Sequence, residues 1–286
     1  MSFFKNKVAL VTGSSSGIGA ETAIQLAKRG CHVTITGRNA ERLEAVKQKC
    51  MQAGGAGVKV HTCIGEITDS KHLKHLVEST LKELGPIDIL VNNAGGFPEG
   101  VAGKPQSITS CSMEVYDGFM NINMRSVLEL TKLCIPTLKE TKGSVVNISS
   151  IASMLPSRMS PYYGMAKAAL DYFTRMLASE LGEHHIRVNA INPGPIKTGI
   201  MAQAKLPKEV EDGLWAQMAS HTLTNNIGYP EDIAGAVIFL TGETGRFITG
   251  INLVIDGGAV LKRDTAGSSG EKSMEDRIKE MMAQKK

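Results

Sequence analysis

The sequence has few cysteines, and their arrangement predicts no disulfide framework. Its five cysteines form no C-x-x-C pair and leave an odd count. A small secreted chain held together by disulfides would carry an even set at regular spacings. We therefore expect free thiols in a reducing compartment, which is typical of a cytoplasmic protein.

Long hydrophobic runs are absent as well. No window reaches the roughly eighteen apolar residues that a membrane span needs. Residues 1–12 lack the charged start, the long apolar run and the cleavage site of a secretory leader. The sequence thus predicts neither a membrane span nor secretion.

Charge of one sign is not concentrated anywhere except in the last residues. The chain has 32 lysines and arginines against 28 aspartates and glutamates, a formal net charge of +4. Proteins that bind nucleic acid usually gather their basic residues into a patch or block. Nucleic acid is therefore not an expected partner.

The rest of the composition is that of an ordinary soluble globular protein. Of 286 residues, 42% are hydrophobic and 21% are charged, with 30 glycines and one tryptophan. Such a chain is long enough to bury a sizeable core, as one large α/β domain or two small ones.

Tyr163 and Lys167 form a pair with a possible chemical use. They stand four residues apart, so a helix would bring their side chains together on adjacent turns. A neighbouring ammonium favours the ionised phenol and lowers its pKa, which would let the pair shuttle a proton. Most isolated Tyr-x-x-x-Lys matches are solvated surface, so the rest of the chain must decide between the two interpretations.

A glycine-rich turn follows the first apolar run, which extends from Lys7 to Thr12. The turn is Gly13-Ser14-Ser15-Ser16-Gly17-Ile18-Gly19, and a helical pattern continues from it as far as Gly30. Glycines there let the backbone approach a pyrophosphate, and the start of the helix supplies free N–H groups. The pattern predicts a dinucleotide site; a plain tight turn is the alternative.

The end of the second predicted strand bears on cofactor choice. In a dinucleotide site an acid here accepts from the ribose 2′-hydroxyl, whereas an arginine accommodates a 2′-phosphate. Gly37 occupies the acidic position, and Arg38 follows it. The pattern favours NADP(H) over NAD(H), with hydrogen bonds from Ser14 and Ser15 to the phosphate. Alternatively, Arg38 is a surface residue that pairs with Glu41.

Strands and helices alternate along the whole chain. Besides the first two strands, five more are predicted, at residues 58–63, 87–91, 143–149, 186–191 and 251–255. Parallel strands joined by right-handed helical crossovers form a sheet with helices on its faces. We therefore predict an α/β fold with a doubly wound, seven-stranded parallel sheet flanked by helices on both faces.

Three polar features need an explanation. His72 and His75 lie three residues apart on a predicted helix, but with no further ligands nearby a solvated helix face is favoured over a metal site. Asn123 lies inside a helical pattern, where asparagine is unfavourable unless its side chain or a local distortion has a use. Residues 96–112 are rich in Gly, Pro and Ser, which suits a loop at a substrate entrance as well as a surface excursion.

Taken together and in order, these motifs resemble those of the short-chain dehydrogenase/reductase family. The resemblance covers about residues 5–260. It implies a single Rossmann-like NAD(P)-binding catalytic domain over residues 1–260 and an oxidoreductase that reduces carbonyls or oxidises alcohols. It is carried by Thr12-Gly13-x-x-x-Gly17-Ile18-Gly19, Asn92-Asn93-Ala94-Gly95, Asn123, Ser150, Tyr163-x-x-x-Lys167, Asn192-Pro193-Gly194 and Asp256-Gly257-Gly258.

The resemblance implies a role for each catalytic residue. Tyr163 would be the general acid in carbonyl reduction and the general base in alcohol oxidation. Lys167 would lower the pKa of Tyr163 and bind the nicotinamide ribose. Ser150, with Ser149 as its rival, would polarise the carbonyl, and Asn123 would hold a water in a proton relay. No metal ion is expected.

The implied cofactor is NADP(H), with NAD(H) as the alternative. One of its expected contacts departs from the family pattern, because Glu66 stands where an aspartate usually meets the adenine amine. The expected binding residues are Gly13, Ser14, Ser15, Ser16, Gly17, Ile18, Gly19, Arg38, Glu66, Asn93, Ala94, Gly95, Tyr163, Lys167, Pro193, Gly194, Ile196 and Thr198.

The resemblance also bears on substrate, assembly and the end of the chain. Residues 199–228 would form a lid over a small or lipophilic ketone or secondary alcohol, and the protein would be a homodimer or homotetramer. Residues 261–286 exceed the family core and predict a flexible linker followed by a short amphipathic helix. Two other functions stay open: an NAD-dependent secondary-alcohol dehydrogenase and a non-catalytic dinucleotide-binding regulator.

Overall fold

The computed structural model describes residues 3–101, 106–156, 160–199 and 207–265. Short apolar segments form the strands, and longer amphipathic segments between them form helices. The strands are β1 (Val8–Val11), β2 (His32–Gly37), β3 (Val60–Ile64), β4 (Ile89–Asn92), β5 (Ser144–Ile148), β6 (Arg187–Pro193) and β7 (Asn252–Ile255). The helices are α1 (Gly17–Lys28), α2 (Ala40–Gly54), α3 (Ser70–Leu84), α4 (Met113–Met120), α5 (Ser126–Thr141), α6 (Pro161–Leu181), α7 (Lys208–Ser220), α8 (Pro230–Thr241) and α9 (Ala259–Thr265).

The seven strands form one parallel sheet in the order β3-β2-β1-β4-β5-β6-β7. In the central pairings, Leu10 of β1 lies opposite Thr34 of β2 on one side and Leu90 of β4 on the other. The order reverses between β1 and β4, and a doubly wound sheet opens a ligand crevice at the carboxyl ends of the strands there. The predicted fold is confirmed.

Both faces of the sheet are covered, which explains why its strands are continuous apolar runs. Successive residues of β1 alternate between two hydrophobic clusters: Ala9 and Val11 belong to one, Val8 and Leu10 to the other. Helices α1, α2 and α8 contribute to the first cluster, and α3, α5 and α6 to the second. The two layers hold the strand ends in a fixed geometry.

The helix that carries Asn123 is distorted at that residue. Residues Asn121–Arg125 form a π-helical segment between α4 and α5, and the Asn123 side chain is fully buried there. Such single-turn bulges are rare and are frequent at functional sites. The local distortion that the sequence suggested is therefore present.

The prediction of a solvated face for the two histidines of α3 is wrong for His72. His75 is exposed, but His72 is 8% exposed, and its Nε2 lies 3.1 Å from the Thr36 hydroxyl of β2. Burial lowers the pKa of His72. Its neutral ring is thus part of the packing between α3 and the sheet.

Gly65 leaves the space that the His72 ring fills. A Cβ built on Gly65 would lie 2.1 Å from His72 Nδ1. We expect Gly65→Ala to lower the free energy of unfolding by about 1–3 kcal/mol, the usual cost of overpacking, as measured by urea denaturation. Gly57→Ala is the matched control, since nothing lies within 4 Å of its added Cβ. Equal urea midpoints for the two variants would contradict this assignment.

Several sequence expectations concern segments that the structure covers only in part. Helix α7 lies within the proposed lid, but residues 200–206 of that segment are outside the described residues. So are residues 266–286, which include most of the predicted linker and the predicted amphipathic helix. Within the described ranges, no helix is both long enough and apolar enough to cross a membrane.

Candidate active site

A cleft of about 630 Å³ opens at the carboxyl ends of the strands. It lies at the reversal of strand order, where open α/β sheets bind their ligands. Most of the predicted site residues line it: Gly13, Ser15, Ser16, Gly17, Ile18, Arg38, Glu66, Asn93, Ala94, Gly95, Ser150, Tyr163, Lys167, Pro193, Gly194, Ile196 and Thr198.

The glycine-rich turn brings the start of α1 to this cleft. Gly13 has φ +63°, and a Cβ there would lie 2.8 Å from Ala94 Cα, so only glycine fits without displacing backbone. Ser16 precedes the helix without a side-chain cap, which leaves the first N–H groups of α1 without that partner. Free N–H groups and the positive helix end favour an anionic group such as a pyrophosphate.

Two residues predicted to bind cofactor do not face the cleft. Ser14 is fully buried; its hydroxyl donates to the Val11 carbonyl at 2.8 Å and accepts from the Thr36 N–H at 2.9 Å. It therefore pins the turn to β2. Gly19 is a packing glycine, since a Cβ there would lie 2.5 Å from the Gly13 carbonyl oxygen.

At the other end of the cleft, the end of β2 carries no acid. A Cβ on Gly37 would come within 3.2 Å of Ser15 Oγ, so an acidic side chain there would crowd Ser15. Arg38 does not pair with Glu41 as the alternative supposed; its guanidinium lies 3.4 Å from the Glu66 carboxylate. Both side chains are substantially exposed, and such surface pairs separate at little cost.

The segment after β4 is braced against the glycine-rich turn. Thr12 Oγ1 accepts hydrogen bonds from the N–H groups of Asn93 and Ala94, at 3.0 and 2.9 Å. The Asn93 amide donates in return to the carbonyls of Thr12 and Gly13. The two segments that line the middle of the cleft are thereby held at a fixed separation.

Helix α6 and the turn after β5 bring the predicted catalytic side chains together. Tyr163 is hydrogen-bonded to the Ser150 side chain. The Ser149 hydroxyl instead donates to the Lys167 carbonyl at 3.3 Å and is buried. Of the two serines, Ser150 is thus the one placed beside the phenol. Lys167 Nζ donates to the Ile148 carbonyl at 2.8 Å and lies 5.6 Å from the Tyr163 ring centroid.

Burial governs the protonation of this pair. It raises the pKa of Tyr163 to about 12, against the opposing effect of the Ser150 hydrogen bond. It lowers the pKa of Lys167 to about 8, opposed by the charge of Asp171. The expected lowering of the Tyr163 pKa by Lys167 is not found in this structure. At neutral pH the site therefore presents a neutral phenol beside an ammonium.

A protein-family comparison spans nearly all of these elements. The family model described as Enoyl-(Acyl carrier protein) reductase matches residues 13–260, from the glycine-rich turn to beyond β7. The chain belongs to the short-chain dehydrogenase/reductase family. It is therefore an NAD(P)-dependent oxidoreductase.

Other members of this short-chain dehydrogenase/reductase family resemble the chain over nearly its full length. A 7α-hydroxysteroid dehydrogenase of Bacteroides fragilis is 32% identical over 266 residues, which cover 93% of this chain and 98% of the relative. A short-chain dehydrogenase/reductase of unknown function from Caenorhabditis elegans, solved with cofactor, superposes with a TM-score of 0.85 at 37% identity, covering 90% and 96% of the two chains. L-Sorbose reductase from Gluconobacter frateurii, complexed with NADPH and L-sorbose, superposes with a TM-score of 0.83 at 29% identity, covering 91% and 99%.

Asn123, a motif residue of the short-chain dehydrogenases, lies behind the cleft and does not line it. Its amide oxygen accepts from the Gly96 N–H at 2.9 Å, and its amide nitrogen donates to the carbonyls of Gly96 and Phe119. A Cβ on Gly95 would lie 2.9 Å from Asn123 Oδ1 and 3.2 Å from Lys167 Nζ. Asn123 and Lys167 therefore border one small space, which exists because residue 95 is glycine.

Sequence reasoning missed the aromatic side chains around Tyr163. The Phe97 ring stacks on the Tyr163 ring, with centroids 5.5 Å apart and 11° between the planes. Phe119 meets both rings edge-on. Phe97 also lines the cleft, so the start of the 96–112 loop contributes to the site. These rings cover part of the Tyr163 ring, whose burial raises its pKa, and no motif in the sequence marks them.

Proposed function

We propose that the enzyme is an NADP(H)-dependent carbonyl reductase or alcohol dehydrogenase acting on a small or lipophilic ketone or secondary alcohol. The observation that carries the proposal is the neutral, half-buried Tyr163 phenol, hydrogen-bonded to Ser150 and adjacent to the Lys167 ammonium, in the cleft at the carboxyl ends of the strands. A proton donor of this kind suits the reduction of a carbonyl, which needs a proton on its oxygen.

In the proposed reaction the nicotinamide supplies or accepts a hydride when bound. The chain positions the reacting groups and moves the proton. The Ser150 hydroxyl orients the carbonyl oxygen, Tyr163 donates a proton to it, and Lys167 holds the ribose hydroxyls. Asn123 is proposed to hold a water beside Lys167, in the space next to Gly95. In alcohol oxidation the same groups would act in reverse.

The cleft offers a separate segment for each part of a nicotinamide dinucleotide. The uncapped start of α1, together with the turn from Ser15 to Ile18, suits the pyrophosphate. The segment after β6, which includes Pro193 and Thr198, is proposed to hold the nicotinamide carboxamide. Glu66 remains the proposed contact of the adenine amine, although its carboxylate pairs with Arg38 in this structure.

The end of β2 supports the preference for NADP(H). The 2′-phosphate of NADP(H) needs a cation, and an acid in its place would repel it. Gly37 supplies no acid, while Ser15, Arg38 and Arg42 line this end of the cleft. The pairing of Arg38 with Glu66 instead favours NAD(H), since the Glu66 carboxylate would repel the 2′-phosphate.

Arg38→Asp tests the 2′-phosphate assignment. We expect the ratio of kcat/KM with NADPH to kcat/KM with NADH to fall by about 10- to 100-fold, because a charge-assisted contact worth about 1.5–3 kcal/mol is lost. Steady-state kinetics with both cofactors measure it. Arg246→Asp changes the same charge at an exposed position away from the cleft and should leave the ratio unchanged. An unchanged ratio of the two kcat/KM values in Arg38→Asp would show that Arg38 does not bind the 2′-phosphate.

Substrate class and assembly complete the proposal. Phe97 in the cleft, and the buried Leu214 and Trp215 of the proposed lid, favour a lipophilic carbonyl. Leu128 of α5 and Met176 of α6 are exposed apolar residues, consistent with a cytoplasmic homodimer or homotetramer that pairs through these helices. A screen of ketones and alcohols that follows NADPH absorbance, with the mass of the assembly measured by light scattering, tests both points.

A further inference from the structure

Asp171 is a buried acid close to the catalytic pair. It lies on α6 one turn beyond Lys167, so the two side chains share a helix face. The residue is 5% exposed. A carboxylate removed from water is costly unless it is paired with a cation or well hydrogen-bonded. A buried carboxylate at this position therefore needs a compensating partner.

Only one of the two oxygens of the Asp171 carboxylate accepts a hydrogen bond from a described residue. Asp171 Oδ2 accepts from the Asn192 amide at 2.8 Å, at the end of β6. Among the described residues, no donor reaches Asp171 Oδ1. The groups that β6 and the turn after β5 bring to this face are amides and hydroxyls, including Asn192 and Ser153. Of the two cations one turn from Asp171 on α6, Lys167 is buried and Arg175 is exposed, so Lys167 is the candidate for the compensating charge.

Lys167 lies one turn before Asp171 on α6, and the charge of Asp171 acts on it. The Asp171 carboxylate raises the pKa of Lys167 against the effect of burial. The desolvated ammonium donates to the Ile148 carbonyl, and the negative charge of Asp171 favours its charged form. Each group thus offsets part of the cost of burying the other.

Asn192 extends the effect of Asp171 to Ser150. An amide beside a carboxylate must turn its NH₂ toward it, which fixes the orientation of Asn192. The same NH₂ reaches the Ser150 carbonyl at 3.1 Å and Ser153 Oγ at 3.0 Å. Ser153 also donates to the Ser150 carbonyl at 2.8 Å. The backbone of Ser150 is therefore held by both Asn192 and Ser153.

We propose that Asp171 is a positioning residue that supplies the counter-charge of the Lys167 ammonium and, through Asn192, fixes the Ser150 turn against Tyr163. The inference rests on the proposed function for the roles of Ser150, Tyr163 and Lys167. Asp171 acts through these residues and does not touch the substrate. Its coupling to Lys167 is a property of the protein without substrate or cofactor, so it can be tested separately.

Asp171→Asn is the direct test, because it removes the charge at nearly constant volume. The titration of Lys167 is followed by NMR of labelled lysine side chains in the cofactor-free protein. We expect its midpoint to fall by about one pH unit, a tenfold loss of proton affinity. Asp171→Glu keeps the charge and should titrate near the wild type. Glu180→Gln, on an exposed site of the same helix, should change nothing.

The second measurement is the pH profile of carbonyl reduction. In Asp171→Asn the decline of kcat at alkaline pH should begin about one unit lower, with little change in the KM for the ketone. A merely structural role would lower kcat at every pH equally. An unchanged Lys167 titration in folded Asp171→Asn would overturn the proposal. If that titration shifts but no substrate is ever turned over, the proposed function fails and the coupling stands.

Asn192→Ser keeps both charges and serves if Asp171→Asn does not fold, as judged by circular dichroism. The Lys167 titration should then match the wild type, whereas kcat should fall about tenfold because the Ser150 turn loses a brace held by a charge-assisted bond. An unchanged kcat in Asn192→Ser would refute the link from Asp171 to Ser150.

Discussion

Tyr163→Phe should lower kcat by about 10²–10⁴-fold, the usual contribution of a positioned general acid. The change removes one oxygen from a half-buried ring, so the stacking on Phe97 and the fold should persist. Binding of NADPH, followed by fluorescence, should be nearly unchanged, because the phenol is one of many expected contacts of the dinucleotide and the others remain. Steady-state kinetics with a ketone found in the substrate screen measure the loss.

The matched control is Tyr172→Phe, on the same helix and 60% exposed. It removes the same hydroxyl where nothing is protonated, and kcat should stay at the wild-type value. Turnover of Tyr163→Phe within about tenfold of the wild type would remove Tyr163 from the acid/base role. In that case the Ser150 hydroxyl, its direct partner, would become the candidate proton donor.

The fold could be predicted from sequence because its signals are local. Buried parallel strands are short apolar runs, helices carry a 3.6-residue period, and their alternation leaves few topologies. The strand order follows from chain connectivity once the crossovers are right-handed. His72 was misjudged because its burial depends on Gly65, seven residues earlier, which leaves space for the ring. A helical period alone does not report such a space.

The candidate site was predictable where a motif fixes both the residue type and the backbone conformation at a position. Gly13 and Gly17 have positive φ, which marks the turn. Ser14 shares that motif but points away from the cleft, and sequence spacing does not show on which side of a turn a side chain lies. Phe97 and Asp171 were missed because their contacts join distant segments. The protonation of the catalytic pair depends largely on burial, which is a tertiary property of the fold.

Lys167→Met should lower kcat/KM by about 100- to 1,000-fold, as the loss of one preorganised donor typically does. Methionine fits the buried site with similar length and without charge. The variant loses the ammonium beside Tyr163 and the proposed donor to the ribose hydroxyls. It also leaves Asp171 without its counter-charge, so overall stability is a poor readout of Lys167 alone. The dependence of stability on pH reports on Lys167 more directly.

The pKa of Lys167 gives that dependence a definite sign. Burial lowers it from 10.5 to about 8 in the folded protein. As pH rises between these values, the unfolded chain holds a proton that the folded chain has released, so the free energy of unfolding increases with pH. Over the same window carbonyl reduction should decline, because the ammonium beside Tyr163 is lost. Stability and activity should therefore change in opposite directions.

Urea denaturation across this pH window, compared between wild type and Lys167→Met, isolates the lysine. The increase in unfolding free energy should be smaller in Lys167→Met, since methionine does not titrate. Lys139→Met removes an exposed lysine and should keep the wild-type increase. Identical pH dependence in wild type and Lys167→Met would mean that Lys167 keeps an ordinary proton affinity when folded. The ammonium would then persist at alkaline pH, and the decline of carbonyl reduction would have to come from another group.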